Sequence, residues 1–162
     1  MKHLNLIAWT VATAAASALA VAQTAVTPAK SAADAKAAIE ARQNVFKDIK
    51  KAYEPLTDML KRKREFDAAL VATNAVTLQG LVQQIPAHFT VDTHTFTDTK
   101  TLARENIWTS QADFKAKADA ASTALGNLAT VAKTGDQGAT SKAIGDVGKS
   151  CGACHDNFKD KP

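Results

Sequence analysis

Ile39, Arg42, Phe46, Ile49, Tyr53, Leu56 and Leu60 recur at intervals of 3, 4, 3, 4, 3 and 4 residues, and that rhythm restricts the fold more than any other feature of the chain. Side chains three and four apart share one face of an α-helix. Nowhere do β-branched or aromatic residues alternate with polar ones over the length of a strand. The rhythm returns at Phe114, Ala118, Ala121, Leu125, Leu128 and Ala132, and again at Ile144, Val147, Cys151, Cys154 and Phe158. Between these, Phe66, Leu70, Thr73, Leu78, Leu81 and Ile85 form a looser face whose helix, from about Phe66 to Gln84, is expected to stop before Pro86. The pattern predicts an all-α chain, an antiparallel four-helix bundle. Pro55 should make the first helix bend or pause near Tyr53-Glu54, the third should run from about Leu102 to Lys133, and the fourth from about Ala139 to Lys159. The threonine-rich stretch 86–100 has no helical period, so a long connection without regular structure should join helices two and three as a crossover.

The first residues stand apart from the bundle. Lys2 and His3, the apolar run from Leu4 to Leu19, and Ala20-Val21-Ala22 have the three parts of a cleaved secretory signal over residues 1–22. The run is too interrupted to match the ~20 apolar residues of a spanning helix. Residues 23–162 are then one domain, exported to the periplasm and free of the membrane. The formal net charge of +4 is spread along the chain, which argues against nucleic acid as a partner. The one dense cationic run, Lys61 to Arg64, reads as a solvated helix end or as a docking patch for an acidic partner.

An exported chain with two cysteines ordinarily suggests a disulfide, but the sequence around them, "SCGACHDNFK" at 150–159, points elsewhere. On a helix Cys151, Cys154 and His155 share one face about a turn long. Two thiols at that spacing can add to the two vinyl groups along one edge of a haem while the adjacent imidazole ligates the iron, the C-x-x-C-H arrangement of c-type attachment. A structural zinc site needs a fourth ligand that the cluster lacks. A redox dithiol needs a βαβ setting that the pattern does not offer, and a disulfide across two helical residues is sterically awkward. The expected cofactor is one covalently attached haem c. It also accounts for Arg42 on an apolar face, because a buried guanidinium needs a partner and a haem propionate would be one.

Use of such a haem turns on the second axial position. Met59, His88 and His94 are the ordinary ligand candidates, and none is well placed: Met59 lies beyond Pro55, nearly four turns from Phe46, and both histidines fall in or beside the long connection. Phe46 is left to cover the iron, giving a crowded, apolar, five-coordinate site.

With its C-terminal C-x-x-C-H, its four-helix pattern, "ARQNVF" (41–46) and "ENIW" (105–108), the chain resembles the cytochrome c′ family over about residues 39–159. The resemblance implies that Cys151 and Cys154 carry the thioether links and that His155 is the sole protein ligand of a high-spin iron. Arg42 and Gln43 would touch the haem edge and propionates, and Phe46 would occupy the distal face. It further implies a protein, not an enzyme, that binds diatomic gases, nitric oxide or carbon monoxide, and pairs into a homodimer through its first two helices. A one-electron carrier with a redox partner protein is the alternative. One position departs from the family pattern: Lys159 stands four residues after the haem histidine, where arginine is common. Lysine keeps the charge and loses the planar fork.

Overall fold

A computed structural model of the chain describes residues 25–161; the expected signal, 1–22, lies outside them. Four long helices form the bundle: α1 (Ala32–Leu60), α2 (Ala68–His88), α4 (Gln111–Ala132) and α5 (Gln137–Phe158), with a single turn, α3 (Asn106–Thr109), ahead of α4. Three begin on side-chain caps. Ser31 Oγ accepts from Asp34 N at 3.2 Å, Asp67 Oδ1 from Leu70 N at 2.9 Å and Asp136 Oδ1 from Ala139 N at 2.9 Å, each satisfying a donor that a helix start leaves free. α1 ends with Arg62 at φ 57° and α4 with Gly135 at φ 74°, left-handed turns of the kind that close a helix.

Two apolar clusters fill the interior. In the larger, Leu56 of α1 and Val71, Ala75, Leu78 and Val82 of α2 pack against Leu125 and Leu128 of α4 and Ile144 and Val147 of α5. Each fully buried large aliphatic chain contributes about 1.5–3 kcal/mol. The smaller cluster is aromatic and caps one end: Phe89, Ile107, Trp108, Phe114 and Phe158, with Cys154 packed against it. α2 packs closely on α4 and α4 on α5, whereas α1 and α5 touch sparsely.

Four expectations need correction. α2 continues through Pro86 to His88, because a proline removes one donor near the end of a helix that Phe89 N then closes onto Pro86 O at 3.1 Å. α1 likewise runs unbroken through Pro55. The third helix starts at Gln111 rather than near Leu102, since Ser110, at φ −126° and ψ 46°, separates it from α3. The connection 89–105 also holds more order than its composition suggests. A two-residue strand β2 (Val91–Asp92) pairs in parallel with β1 (Thr27–Pro28), and Ala103 bridges to Lys159.

Candidate functional site

Cys151, Cys154 and His155 occupy consecutive positions of one face of α5, four residues and about 6 Å of helix rise from first to last. Both cysteines are free and half-buried. Cys151 leans on the larger cluster and Cys154 on the aromatic one, so the pair straddles the junction between the two cores. Burial raises the pKa of both thiols, that of Cys154 to about 11 with help from Cys151. A redox dithiol has a depressed pKa, and these thiols are held protonated instead. His155 is exposed. The packing it does have, then the positive Lys159 nearby, lowers its pKa, which favours the neutral imidazole whose lone pair a metal needs. No cluster of three or more His, Cys, Asp or Glu side chains able to hold a metal ion is present among the described residues, which leaves the zinc reading without a ligand set.

The α1 stripe faces this triplet. Tyr53 Oη donates to Ile144 O at 3.1 Å and would meet a β-carbon at Gly148 at 3.1 Å, which fixes α1 antiparallel to α5 with Tyr53 one turn before Cys151. At the other end Arg42 joins the aromatic cluster that Phe158 completes. Phe46 therefore lies between those anchors, along the stretch of α5 that bears the cysteines. Ala35, Ile39, Arg42 and Leu56 of α1 are buried, while Phe46 is 38% exposed. The stripe thus opens at Phe46, between two helices that touch sparsely.

The residues present fit a covalently held haem. Two protonated thiols and a neutral imidazole share one turn, an apolar ring is open opposite them, and the indole Nε1 of Trp108 is buried without a hydrogen-bond partner among the described residues. That orphan donor is of the kind a carboxylate-bearing group can satisfy.

Arg42 is buried as expected but has partners within the chain. Its Nε donates to His88 O at 2.8 Å, one Nη to Thr93 Oγ1 at 2.9 Å and the other to Val91 O, and its Cζ lies 4.6 Å from the Phe89 ring centroid and 5.2 Å from that of Trp108. These neutral acceptors satisfy three of its donors without neutralising its charge, and two of the guanidinium's five N–H groups remain available. Burial lowers its pKa to about 10, leaving it charged under physiological conditions. Gln43 reaches the same connection, donating to Lys100 O at 3.2 Å.

Of the alternative axial ligands, Met59 is remote from the cysteine turn. Met59 lines a shallow recess with Arg62, Lys63, Arg64 and Gln137. Gln137 precedes His155 by eighteen residues of α5, about 27 Å, so Met59 and the basic run both sit at the opposite end of the bundle from the cysteines. His88 ends α2, its carbonyl taken by Arg42. His94 is exposed, with Nδ1 2.8 Å from Asp92 Oδ1 and Nε2 3.9 Å from Glu105 Oε1.

The Asp92 hydrogen bond raises the His94 pKa above its ordinary value of about 6.5. A raised folded pKa stabilises the fold fully below the unfolded value, and the gain is lost as pH rises through the folded one. In an NMR titration the His94 midpoint should lie above that of an ordinary histidine and move back toward it in Asp92→Asn. A midpoint at or below the ordinary value would show that the pair does not form.

Beyond the expected residues, the structure brings Phe89, Trp108 and Arg104 to the site. Arg104 closes the end of α5, with Nε on Asp160 Oδ1 at 2.9 Å and Nη1 on the carbonyls of Asp156 at 2.9 Å and Asn157 at 3.2 Å, where a cation complements the helix terminus. Lys159 caps the same helix through its backbone, N to His155 O at 3.1 Å, and its Nζ reaches Asp160 O at 3.4 Å. "ENIW" contained Trp108, but nothing local in the sequence marked Phe89 or Arg104.

A profile of the family described as Cytochrome C' matches residues 37–159. Cytochrome c′ of Rubrivivax gelatinosus is 34% identical over 124 residues, 76% of this chain and 95% of that protein. Among solved structures, cytochrome c prime from Shewanella frigidimarina superposes with a TM-score of 0.69 at 34% identity, covering 82% of this chain and 98% of the other. A ferrous arginine-to-lysine variant of cytochrome c prime from Alcaligenes xylosoxidans, with nitric oxide bound, gives 0.68 at 31% identity over 82% and 98%.

Proposed function

The chain belongs to the cytochrome c′ family and carries covalently bound haem c; from that premise we propose that it is a periplasmic protein that takes up nitric oxide or carbon monoxide at a five-coordinate iron. In this reading residues 1–22 direct export. No helix among the described residues is long and apolar enough to cross a membrane. Cys151 and Cys154 provide the two thioether sulfurs, and His155 donates its neutral nitrogen from the same turn of α5. When bound there, the haem supplies an iron with one axial position free for a small ligand.

The observation that carries the reading is the pairing of Phe46 with that turn. An apolar, partly open ring stands on the facing helix, and Met59 is held about a bundle's length away. A phenylalanine offers no lone pair to the metal and no hydrogen bond to a ligand. An uncharged gas that binds ferrous iron strongly can enter such a pocket, whereas O₂ and anions lack the donor that would hold them. Arg42, one turn before Phe46 on α1, donates to His88 O, Val91 O and Thr93 Oγ1. Those bonds fix the guanidinium toward the connection rather than toward a base beside Phe46, and we read the protein as a binder rather than a catalyst. The nitric oxide complex of the Alcaligenes relative supports the choice of gas. A homodimer through α1 and α2 would cover Val76, 57% exposed on α2.

Visible and EPR spectra of the ferric protein, followed by CO and NO titration of the ferrous form, test the proposal. A high-spin ferric spectrum and stoichiometric uptake of both gases are expected. A low-spin spectrum with a methionine-to-iron charge-transfer band would sink it. The same spectra separate it from a one-electron carrier, a role for which the basic run at 61–64, on the far end of the bundle, offers no docking site beside the cysteines.

A further inference from the structure

Phe46 does not stand alone. Its ring meets Phe89 edge-on, with centroids 6.4 Å apart and planes at 66°, within the favoured range for aromatic pairs. Phe89 is immobilised from every other side. It is 4% exposed, the Arg42 guanidinium lies over it at 4.6 Å, Phe114 packs against it at 4.9 Å and Trp108 at 6.4 Å. Its backbone is fixed too, closing α2 through Pro86 O and accepting from Gln111 Nε2 at 3.5 Å.

We infer that Phe89 is a positioning residue of the gas site: clamped beneath Arg42, it forms a fixed wall that confines the Phe46 ring and so sets the barrier to ligand entry. The inference rests on the gas-binding reading given above. A free phenylalanine on a helix surface exchanges between its allowed rotamers in nanoseconds and would be a weak gate. With Phe89 immovable on one side, Phe46 can yield only away from it, and a ligand entering on the Phe89 side meets two rings rather than one. The connection 89–105, far from α1 in sequence, thereby takes part in ligand selection through one side chain.

The test compares CO association, by flash photolysis of the ferrous haem-loaded protein, in the parent, Phe89→Leu, Phe46→Ala and the double variant. Leu128→Ala, in the other cluster, controls for general loss of stability. Phe89→Leu should raise the CO association rate about tenfold, the equivalent of losing one aromatic pair. In the Phe46→Ala background the same change should alter the rate less than about twofold, and Leu128→Ala should leave it unchanged. Thermal unfolding gives a second readout that needs no gas: the Tm losses of Phe46→Ala and Phe89→Leu should exceed that of the double variant, when summed, by about 2–4 °C. A parent that takes up no CO overturns the gas-binding reading and this inference with it. CO uptake with a Phe89→Leu rate within about twofold of the parent, an equal gain with or without Phe46, or additive Tm losses each overturn the inference alone.

Discussion

Changing Cys151 and Cys154 together to alanine is expected to abolish covalent haem attachment: acidified organic solvent should extract all the haem from the double variant and none from the parent. The expectation follows from the two thiols being the chain's only cysteines and lying free on one turn of α5 beside His155. Each single variant keeps one sulfur and should retain one thioether link, so its haem should survive denaturation while its pyridine haemochrome spectrum shifts toward that of a haem with a surviving vinyl group. His155→Ala leaves both sulfurs in place and should spare attachment while removing the axial nitrogen. The three outcomes assign the three residues separately. A double variant that keeps its haem through a denaturing gel would refute the assignment of the thiols.

Arg42→Met should destabilise the protein by about 3–5 kcal/mol, because it strips the donor from three acceptors at once. Here the partners are neutral. His88 O, Val91 O and Thr93 Oγ1 would each lose a donor, and an unsatisfied buried acceptor costs about 1–3 kcal/mol. Relaxation of the connection toward water limits the sum. Against a typical total stability of about 5–15 kcal/mol, the loss is large. Urea unfolding measures it, and hydrogen exchange should show faster opening at Val91 and Thr93 than in α4. A loss below about 1 kcal/mol would mean that the guanidinium does not hold the connection. Arg42→Lys should recover only part of the loss, because an ammonium cannot direct three divergent donors from one plane.

These two predictions mark the boundary of what the sequence could disclose. The long helices and the helical turn that brings Cys151, Cys154 and His155 together were legible because both are local. A 3-and-4 period and a C-x-x-C-H spacing lie within a few turns of one helix. The partner of Arg42 was not legible. A charge on an apolar stripe announces that something must neutralise or solvate it, but the acceptors within the chain lie 46 to 51 residues away. No periodicity reports a contact of that range. The order in the connection was hidden for the same reason: Val91–Asp92 is too short for strand alternation to be visible, and its pairing with Thr27–Pro28 depends on two segments that only the bundle brings together. Pro86 misled because its effect depends on position. One lost donor in a last turn is tolerated, whereas the same residue at mid-helix would break or kink it.

All the groups expected to anchor the haem fall within five residues of a single helix. A disulfide or a ligand set drawn from distant segments closes a loop and restricts the unfolded chain; thioethers at Cys151 and Cys154 close almost none. Once linked, the haem accompanies α5 into the denatured state, and dilution cannot remove it as it removes a dissociable ligand, whose stabilising effect depends on its free concentration. Its weight in folding therefore comes only from the surfaces it meets on α1 and in the aromatic cluster, and a denatured chain regains its cofactor in a step of first order.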